Sequence, residues 1–310
     1  MNASILIVTR NRAADLRMTL EAMRSVVVPD GLSAELLVVD NGSTDETREV
    51  VERCEIPGLS VRYLLECKSG LSHGRNRGVA EAKGEILLFT DDDVRPPEGW
   101  LDGMCDPILQ RRAEAVAGGV RIAPSLLRPW MSSMHRSWLA SSEWLDSESP
   151  QNMVGANMCF SRAVLARVPS FDVELGAGAL GSGEESLFAA QLIIAGYRIA
   201  NRLDLCMEHH FQVERLKRAS WLRAAKVLGM SHAYRGHHWD HWGLRFGRAR
   251  ALAASCRVAT WRLRHQDRLL DDGCDEIELN LVYQQALIAY HVEIHQEPRK
   301  YEKHGLVKIG

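Results

Sequence analysis

The N-terminal part of the chain alternates between short apolar runs and longer segments whose apolar residues share one helix face. Each run has the length of a strand, and each segment repeats apolar residues at the spacing of a helix. This alternation predicts an α/β protein of right-handed βαβ units around a mostly parallel, Rossmann-like sheet flanked by helices. The predicted strands cover residues 4–8, 34–39, 61–65 and the apolar run that ends at Thr90.

The predicted helices begin at recognisable signals. The first starts near Ala13, and Ser43 and Glu46 have the spacing of a capping box, which predicts that the second helix begins at Thr44. A short third helix is expected after Gly70, and a fourth near Trp100. These helices would flank the predicted sheet.

Three consecutive carboxylates, Asp91, Asp92 and Asp93, follow the fourth apolar run. In open α/β sheets, ligands bind at the carboxyl ends of the strands. Adjacent aspartates repel one another, whereas oxygen ligands in this number suit Mg²⁺ or Mn²⁺, which usually also bind substrate phosphates. A solvated acidic turn is the simpler interpretation, but the strands before the triplet favour a metal and phosphate site.

A second acidic pair, Glu184 and Glu185, follows a flexible Gly-Ser-Gly segment and begins an amphipathic helix. A helix N-terminus favours charged carboxylates, so the pair has a structural interpretation as well as a catalytic one. The same location predicts that the pKa of these carboxyls is lowered. The glycines would allow a carboxylate to enter a cleft and act as a general base.

Positive charge is segregated in the C-terminal third, although the whole chain of 310 residues has a formal net charge of −2. Residues 211–265 contain twelve Lys or Arg against Glu214 and Asp240 alone. On a helix, Leu252, Cys256, Ala259 and Leu263 would form one face, with Arg250, Arg257 and Arg264 away from it. Such a helix suits an anionic membrane surface. A helical cap with solvated arginines is the alternative, and nothing resembles a nucleic-acid-binding module.

The remaining composition favours an enzyme of the cytoplasm. Seven cysteines, an odd number without paired spacing, argue for a reducing compartment. The first strand begins close to Met1, which leaves no room for a signal peptide, and no apolar stretch reaches the ~18–20 residues of a spanning helix. A last helix with Leu279 and Val282 inward is expected, followed by a polar tail from Gln296 that should fray.

Several short motifs in a fixed order carry a family resemblance. They are Thr9-Arg10-Asn11-Arg12, Asp40-Asn41-Gly42-Ser43, Arg75-Asn76-Arg77-Gly78, the Asp triplet, Gly155-Ala156-Asn157, Gly181 to Glu185, and His209-His210 with Glu214-Arg215-Leu216. Together they resemble family 2 glycosyltransferases, which have the GT-A fold. The resemblance covers roughly residues 3–216, and it departs from the family where Glu184-Glu185 replaces the usual Glu-Asp.

The resemblance implies a division of the chain and a reaction. It implies a GT-A domain over residues 1–216, with a nucleotide-sugar half at about 1–95 and an acceptor half at about 96–216, and a helical C-terminal region over 217–310. The implied reaction is metal-dependent transfer of a sugar, with inversion, from a nucleoside-diphosphate-sugar to an acceptor hydroxyl. A UDP-type donor and a sugar or lipid-linked acceptor of cell-surface polysaccharide or glycoconjugate synthesis are expected, with Mg²⁺ or Mn²⁺ as the cofactor.

The resemblance also assigns roles to residues. The metal ligands would be Asp93 and either His209 or His210, and Glu185 would be the base with Glu184 beside it. The Asp40 carboxylate, at a strand end, would accept a hydrogen bond from a uracil-like N–H. The Arg75 guanidinium would stack on a base or reach a phosphate. The donor-binding set is Thr9, Arg10, Arg12, Asp40, Asn41, Arg75, Asp91 and Asp92, and the acceptor-binding set is Trp100, Gly155, Ala156 and Asn157.

Two other functions use some of the same features. A nucleotidyltransferase also places a metal-binding Asp pair on a parallel sheet, but Thr9 to Arg12 lacks the glycines of a triphosphate loop. A non-catalytic sugar-binding protein on a GT-A scaffold would explain Glu185, although the intact Asp triplet argues against it. The segment from Trp130 to Trp144 is expected either to form a mobile loop over the acceptor or to seal the domain against the C-terminal helices.

Overall fold

A computed structural model, which describes residues 2–268 and 271–309, has an eight-stranded sheet at its centre. The strand order is β3-β2-β1-β4-β7-β6-β8-β5. The strands are β1 (Ala3–Thr9), β2 (Ala34–Asp40), β3 (Leu59–Leu65), β4 (Ile86–Thr90), β5 (Val94–Arg95), β6 (Ala115–Ile122), β7 (Asn157–Ser161) and β8 (Ile199–His209).

The N-terminal half of this sheet is parallel, as predicted. Strands β3, β2, β1 and β4 run in one direction, whereas β7 is antiparallel to both of its neighbours. Thr9 is in register with Asp40, so the carboxyl ends of β1 and β2 lie at one edge of the sheet, beside the end of β4. The mixed, largely parallel sheet confirms the predicted α/β class.

Helices flank the sheet. They are α1 (Ala13–Met23), α2 (Thr47–Glu52), α3 (Leu71–Glu81), α4 (Trp100–Leu109), α5 (Ser133–Trp138) and α6 (Glu184–Ile194). The apolar stripe of α1 is buried through Leu16, Leu20 and Met23, which pack against the central strands. Burial of a large aliphatic side chain contributes roughly 1.5–3 kcal/mol, so this face holds α1 on the sheet.

The predicted start of the second helix is wrong. Helix α2 begins at Thr47, because the Asp45 carboxylate accepts the Thr47 backbone N–H at 3.1 Å. The Ser43 hydroxyl instead accepts the backbone N–H of Asn11 at 2.8 Å. Capping-box spacing was therefore present without a capping box, since a neighbouring loop used the hydroxyl.

The C-terminal region is helical, with α7 (Arg218–His238), α8 (Gly247–Arg264) and α9 (Glu276–Ile294). Trp221, Val258, Leu279 and Val282 pack together in an apolar cluster that also contains Ile122 from the sheet. Within the described ranges, no helix combines the length and apolar composition needed to cross a bilayer.

The tail beyond Gln296 does not fray as predicted. The Tyr301 hydroxyl donates to Asp172 Oδ2 at 2.8 Å, and the Lys308 ammonium donates to Asp172 Oδ1 at 2.6 Å. The Tyr234 hydroxyl of α7 donates to the same carboxylate at 2.8 Å. A buried carboxylate needs such partners, and they tie the tail to the segment before α6.

Two adjacent histidines, His237 and His238, are completely buried at the end of α7. The Nδ1 atoms of both rings, and Nε2 of His238, have no hydrogen-bond partner among the described residues. Burial lowers the pKa of each imidazole to about 4, because water cannot solvate the charged form. Both rings are therefore neutral in the folded protein at pH 7.

We predict that the protein loses stability in mild acid. Between pH 6.5 and 4 the unfolded chain binds protons at these two histidines, whereas the folded chain does not. The free energy of unfolding should therefore decrease as the pH is lowered, by up to roughly 3 kcal/mol per ring. Urea unfolding over this range measures the slope. His238→Phe should flatten it relative to the exposed control His295→Phe, and equal slopes in the two variants would contradict the assignment.

Candidate functional site

The polar residues predicted at the strand ends do meet at one edge of the sheet. The Thr9 hydroxyl donates to Asp92 Oδ2 at 2.6 Å. The Arg12 guanidinium bridges Asp92 Oδ1 at 2.8 Å and Asp93 Oδ2 at 2.7 Å. This cation offsets the repulsion between two adjacent carboxylates that are almost completely buried.

Asp93 and His209 lie next to each other at this edge of the sheet. Strand pairing aligns Val94 of β5 with His209 of β8, which brings His209 Nε2 to 3.3 Å from Asp93 Oδ2. His209 Nδ1 lies 2.8 Å from the carbonyl oxygen of Leu139, which can only accept, so Nδ1 carries the proton. The Nε2 atom therefore donates to the carboxylate when the ring is protonated, and in the neutral ring it carries a lone pair that can bind a cation.

A divalent cation fits between these two side chains. Asp93 Oδ1 is buried and has no hydrogen-bond partner among the described residues. Burial alone would raise the pKa of Asp93, but the His209 and Arg12 side chains outweigh it and hold the pKa below its usual range. Metal-binding histidines usually donate the N–H of their other ring nitrogen to a carbonyl or a carboxylate, as His209 Nδ1 does to the Leu139 carbonyl.

The protein supplies few metal ligands by itself. No group of three or more His, Cys, Asp or Glu that could hold a metal occurs in the part of the chain that the structure describes. Mg²⁺ and similar ions are often held by one or two carboxylates, with phosphate oxygens and water in the remaining positions. Asp93 and His209 fit a cation that arrives with a phosphorylated ligand.

The backbone N–H of His210 donates to the Asp93 carbonyl at 2.7 Å, but its side chain points away from the Asp93 carboxylate, which argues against His210 as the alternative ligand. Its Nε2 lies 2.8 Å from Glu208 Oε1, on the opposite side of the chain from His209. Side chains alternate along a strand, so only one of two adjacent histidines can face Asp93. Burial separates them as well, because His209 is buried and His210 is partly exposed.

A cavity of about 300 Å³ opens beside the aspartates. Its lining includes Thr9, Arg10, Arg12, Asn41, Asp91, Asp92 and Gly178. Burial raises the pKa of Asp92 to about 7 and also raises that of Asp91. The two arginines and the carboxylates give this cavity the charges and hydrogen-bonding groups that a phosphate and a ribose require.

Asp40 and Asn41 have partners within the protein. Asp40 accepts the Ser43 backbone N–H and the Tyr63 hydroxyl, both at 2.8 Å. The Asn41 amide donates to the carbonyls of Glu66 and Lys68 and accepts the Gly70 N–H. Asn41 therefore lines the cavity and also shapes the loop beside it.

Arg75, which was predicted to stack on a base or to reach a phosphate, forms a buried ion pair in the structure. Its Nη1 donates to Glu184 Oε1 at 2.7 Å, both side chains are buried, and its guanidinium lies over the Phe171 ring. A Cβ at Gly155 would lie 2.1 Å from Arg75 Nη2, so the glycine leaves space for the guanidinium. Arg75 therefore holds Glu184, and neither Arg75 nor Gly155 is among the residues that line the cavity beside the aspartates.

Glu185 lies beside this ion pair but has different surroundings. Its Oε2 is buried without a hydrogen-bond partner in the described chain, and its side chain lines a cavity of about 760 Å³. Burial, followed by the charge of Glu184, raises the pKa of Glu185 to about 8. The expectation of a lowered pKa from the helix N-terminus is wrong, because desolvation and a like charge dominate.

The larger cavity brings together residues that are distant in the sequence. Trp138 and Trp144 line it from the segment around α5, and Arg215 and His232 line it from the C-terminal side. Trp130, in contrast, packs edge-on against Trp221 of α7 and seals the interface. Neither Arg215 nor His232 was predicted from the sequence to be a site residue, although Arg215 lies in one of the family motifs.

The predicted acceptor residues are part of the core instead. The indole N–H of Trp100 donates to Asn157 Oδ1 at 2.8 Å, and the Asn157 amide donates to the carbonyls of Gly119 and Leu205. Ala156 is buried as well, and its carbonyl accepts the Thr90 hydroxyl. All of these groups are satisfied internally, which gives Trp100, Ala156 and Asn157 a structural role in the core and argues against the predicted acceptor role.

Comparison with known proteins agrees with the motifs. The family model described as glycosyl transferase family 2 matches residues 4–167. The chain is 32% identical over 118 residues to glycosyltransferase AglE of Haloferax volcanii, which covers 38% of each chain. It is 29% identical over 116 residues to the GalNAc(5)-diNAcBac-PP-undecaprenol beta-1,3-glucosyltransferase of Campylobacter jejuni, covering 37% of this chain and 35% of that relative. The chain thus matches little more than a third of these relatives' length.

Solved structures share the fold over nearly the whole chain. The mannosyltransferase PcManGT from Pyrobaculum calidifontis, in complex with GDP-Man and Mn²⁺, superposes with a TM-score of 0.62 at 19% identity. That superposition covers 96% of this chain and 87% of that one. S. aureus TarS in complex with UDP-GlcNAc superposes with a TM-score of 0.52 at 17% identity, over 97% and 93% of the two chains.

The buried ion pair predicts a large effect of a single substitution. Arg75→Met leaves Glu184 charged and unpaired, which should lower the free energy of unfolding by about 3–5 kcal/mol. Urea unfolding measures this loss of stability. The double variant Arg75→Met with Glu184→Met removes both charges and should lower the free energy of unfolding by less than Arg75→Met alone. The exposed pair Arg48 and Glu52 is the control, because Arg48→Met should lower the free energy of unfolding by under about 0.5 kcal/mol. Similar losses of stability at the two sites would contradict the prediction.

Proposed function

The chain belongs to glycosyl transferase family 2, and from this premise we propose that it transfers a sugar from a nucleoside-diphosphate-sugar to an acceptor hydroxyl. The observation that carries the proposal is the pair of Asp93 and His209. Asp93 has one buried oxygen without a partner among the described residues, and the other lies 3.3 Å from Nε2 of His209. This arrangement suits a divalent cation with the diphosphate of a donor.

In the proposed donor site, the cavity of about 300 Å³ receives the nucleotide and its phosphates. Arg10 and Arg12 would contact the phosphates, since guanidinium groups bind phosphate in two-pronged hydrogen bonds. Asp91 and Asp92 would accept hydrogen bonds from ribose or sugar hydroxyls. Asp93 and His209 would hold Mg²⁺ or Mn²⁺, which when bound would stabilise the negative charge of the departing diphosphate.

Glu185 is the proposed general base. Its raised pKa gives the carboxylate a higher affinity for the proton of an acceptor hydroxyl than an ordinary glutamate has. Glu184 would position it, because Arg75 holds Glu184 in place and its charge acts on Glu185. A base on the acceptor side and a leaving group at Asp93 are consistent with a one-step displacement and inversion at the anomeric carbon.

The acceptor is proposed to bind in the cavity of about 760 Å³ that Glu185 lines. Trp138 and Trp144 offer aromatic faces to a sugar, and Arg215 offers a positive charge. A sugar acceptor with a nearby phosphate fits these groups, which supports a lipid-linked or polymer-linked sugar. One relative is named for an acceptor carried on PP-undecaprenol, and synthesis of a glycoconjugate is our preferred role for this chain.

The proposal extends to the nucleotide base of the donor. One structural neighbour contains GDP-Man and another UDP-GlcNAc, so both bases occur among proteins of this fold. A UDP-type donor is the first to test. We also propose a cytoplasmic location, which the seven free thiols of the chain support.

Two other functions make different predictions for ligand binding. A nucleotidyltransferase would prefer a nucleoside triphosphate to a diphosphate, and calorimetry with and without Mn²⁺ separates the two. A sugar-binding protein without activity would bind a donor but never turn it over. Metal-dependent hydrolysis across a panel of nucleotide-sugars tests that alternative and identifies the donor in the same experiment.

We predict that Asp93→Asn abolishes turnover and weakens binding of UDP or GDP in the presence of Mn²⁺, because the carboxylate no longer draws the cation to the diphosphate. In EDTA, binding should barely change. Calorimetry in the two buffers measures the difference. His210→Gln is the control and should behave as wild type, since its ring faces Glu208. Equal loss of affinity with and without Mn²⁺ would exclude the assignment of Asp93.

We predict that Glu185→Gln slows transfer by ~10²–10⁴-fold, because the amide cannot accept a proton. Affinity for the donor should stay nearly constant. Wild-type transfer should accelerate as pH rises towards about 8, where the base becomes ionised, and then level off.

Rates of transfer and donor affinities for Glu185→Gln and Glu185→Asp provide the test. Glu185→Asp keeps a carboxylate and should retain more activity than Glu185→Gln. Full activity of Glu185→Gln would mean that the base lies elsewhere. Loss of donor affinity in that variant would show that Glu185 serves the donor instead.

A further inference from the structure

After α9 the chain forms a short hairpin that packs against the rest of the protein. Tyr301 and Lys308 pair in an antiparallel bridge, and Tyr301 is buried. We call residues 300–309 the C-terminal hairpin. The side chains of both bridge residues bind the same buried carboxylate, that of Asp172.

The Asp172 carboxylate is bound through both of its oxygens. Its Oδ2 accepts hydrogen bonds from the Tyr234 and Tyr301 hydroxyls, both at 2.8 Å. Its Oδ1 accepts a hydrogen bond from the Lys308 ammonium at 2.6 Å. Tyr301 and Lys308 are 129 and 136 positions away from Asp172 in the sequence. One carboxylate therefore joins α7 and the C-terminal hairpin to the segment that follows Asp172.

This segment, residues 173–178, passes directly over Glu184. Gly176 has a φ of +92°, and a Cβ at this position would lie 3.1 Å from Cδ of Glu184, so the glycine lets the backbone approach the carboxyl group closely. The carbonyl of Leu175 accepts the Ser72 hydroxyl at 2.8 Å, which fixes the segment on the other side. Contact with this backbone helps to keep the Glu184 carboxylate in place and out of water.

The C-terminal hairpin also contacts α6 directly. The side-chain amide of Gln191, on α6, lies 3.3 Å from the carbonyl oxygens of Gly305 and Leu306. The indole N–H of Trp239, at the end of α7, donates to the Gly305 carbonyl at 2.8 Å. The hairpin is thus held between α7 and α6, the helix whose first turn contains Glu185.

We propose that Asp172 is a positioning residue for Glu185, and that the C-terminal hairpin acts on Glu185 through it. Asp172 anchors the segment that contacts Glu184, and Glu184 lies beside Glu185 in the first turn of α6. This inference rests on the proposed function, in which Glu185 is the general base. Because a base must lie within hydrogen-bond reach of the acceptor hydroxyl, a small displacement of α6 would slow transfer without altering the donor site.

Release of the segment would also admit water to Glu185. Burial is the first cause of the raised pKa of Glu185, followed by the charge of Glu184, whereas Arg75 lowers that pKa. Better solvation of Glu185 would therefore lower its pKa, whereas loss of a nearby positive charge would by itself raise it. The other charged or titratable groups that line the cavity at Glu185 are Arg215, Arg223 and His232, and none of them belongs to the C-terminal hairpin.

The test compares variants of the full chain in transfer from the donor that the panel of nucleotide-sugars identifies. Lys308→Met removes one hydrogen-bond donor from Asp172, and Tyr301→Phe removes another without changing the charge. Both variants should lower kcat by on the order of tenfold, because the base is displaced. The midpoint of their pH–rate profiles should move from about 8 towards lower pH, and affinity for UDP or GDP in Mn²⁺ should stay close to wild type. Lys308→Arg keeps the charge and should restore most of the activity.

Lys303→Met is the matched control, because Lys303 lies in the same hairpin but is exposed. It should have the kcat and the pH–rate profile of the wild type. Hydrogen exchange measured by mass spectrometry follows the same coupling without any substrate. Exchange over residues 172–187 should become faster in Lys308→Met and Tyr301→Phe but not in Lys303→Met.

Thermal melting verifies that each variant is folded at the temperature of the assay. If Lys308→Met is not, Tyr301→Phe provides the test, because it removes a single hydroxyl. Wild-type kcat and wild-type exchange in the folded variants would overturn the proposal. A fall in kcat with an equal loss of affinity for UDP or GDP, or with no shift of the midpoint to lower pH, would overturn it as well. Absence of transfer by the wild type would refute the proposed function instead, and hydrogen exchange would still decide whether the hairpin holds the start of α6.

Discussion

Compensation of buried negative charge is the constraint on which the candidate site depends. Five carboxylates, those of the Asp triplet and of Glu184 and Glu185, lie at one edge of the sheet, where burial weakens the screening of their repulsion by water. Two arginines offset part of it, since Arg12 bridges Asp92 and Asp93, and Arg75 pairs with Glu184. One oxygen each of Asp93, Glu184 and Glu185 has no partner among the described residues. Of these three atoms, the oxygens of Asp93 and Glu185 are those to which the proposed cation and proton would bind.

Satisfied polar groups in the core keep this edge rigid. Asn157 connects Trp100, Gly119 and Leu205 through three hydrogen bonds and so joins α4, β6, β7 and β8 where the sheet changes direction. Asn41 does the same for the loop over residues 66–70. Both residues belong to motifs shared with the family, but their contacts are structural. A motif residue can therefore be required for the site without touching a ligand.

The C-terminal region serves the site and also presents a separate surface. The contacts of Tyr234, Tyr301 and Lys308 with Asp172 hold the segment that leads to α6, and hence to Glu184 and Glu185. Helix α7 lines the cavity at Glu185 through His232. Helix α8, in contrast, packs only through its inner side. Leu252 and Leu263, on the other side of this helix, are 68% and 73% exposed and contribute nothing to the core.

The sequence alone determined the α/β class, the parallel strands and the meeting of Thr9, Asp92 and Asp93 at one edge, because strand periodicity and strand ends are local properties. It could not decide which of two adjacent histidines faces Asp93, or that Arg75 pairs with Glu184, 109 positions away. Trp100 and Asn157 looked available for the same reason, since burial depends on which elements pack together. The raised pKa of Glu185 also arises only when folding removes water and brings Glu184 beside it. Local pattern therefore specified the elements and the location of the site, and tertiary packing decided the role of each side chain, because desolvation and ion pairing act between residues that are distant in the sequence.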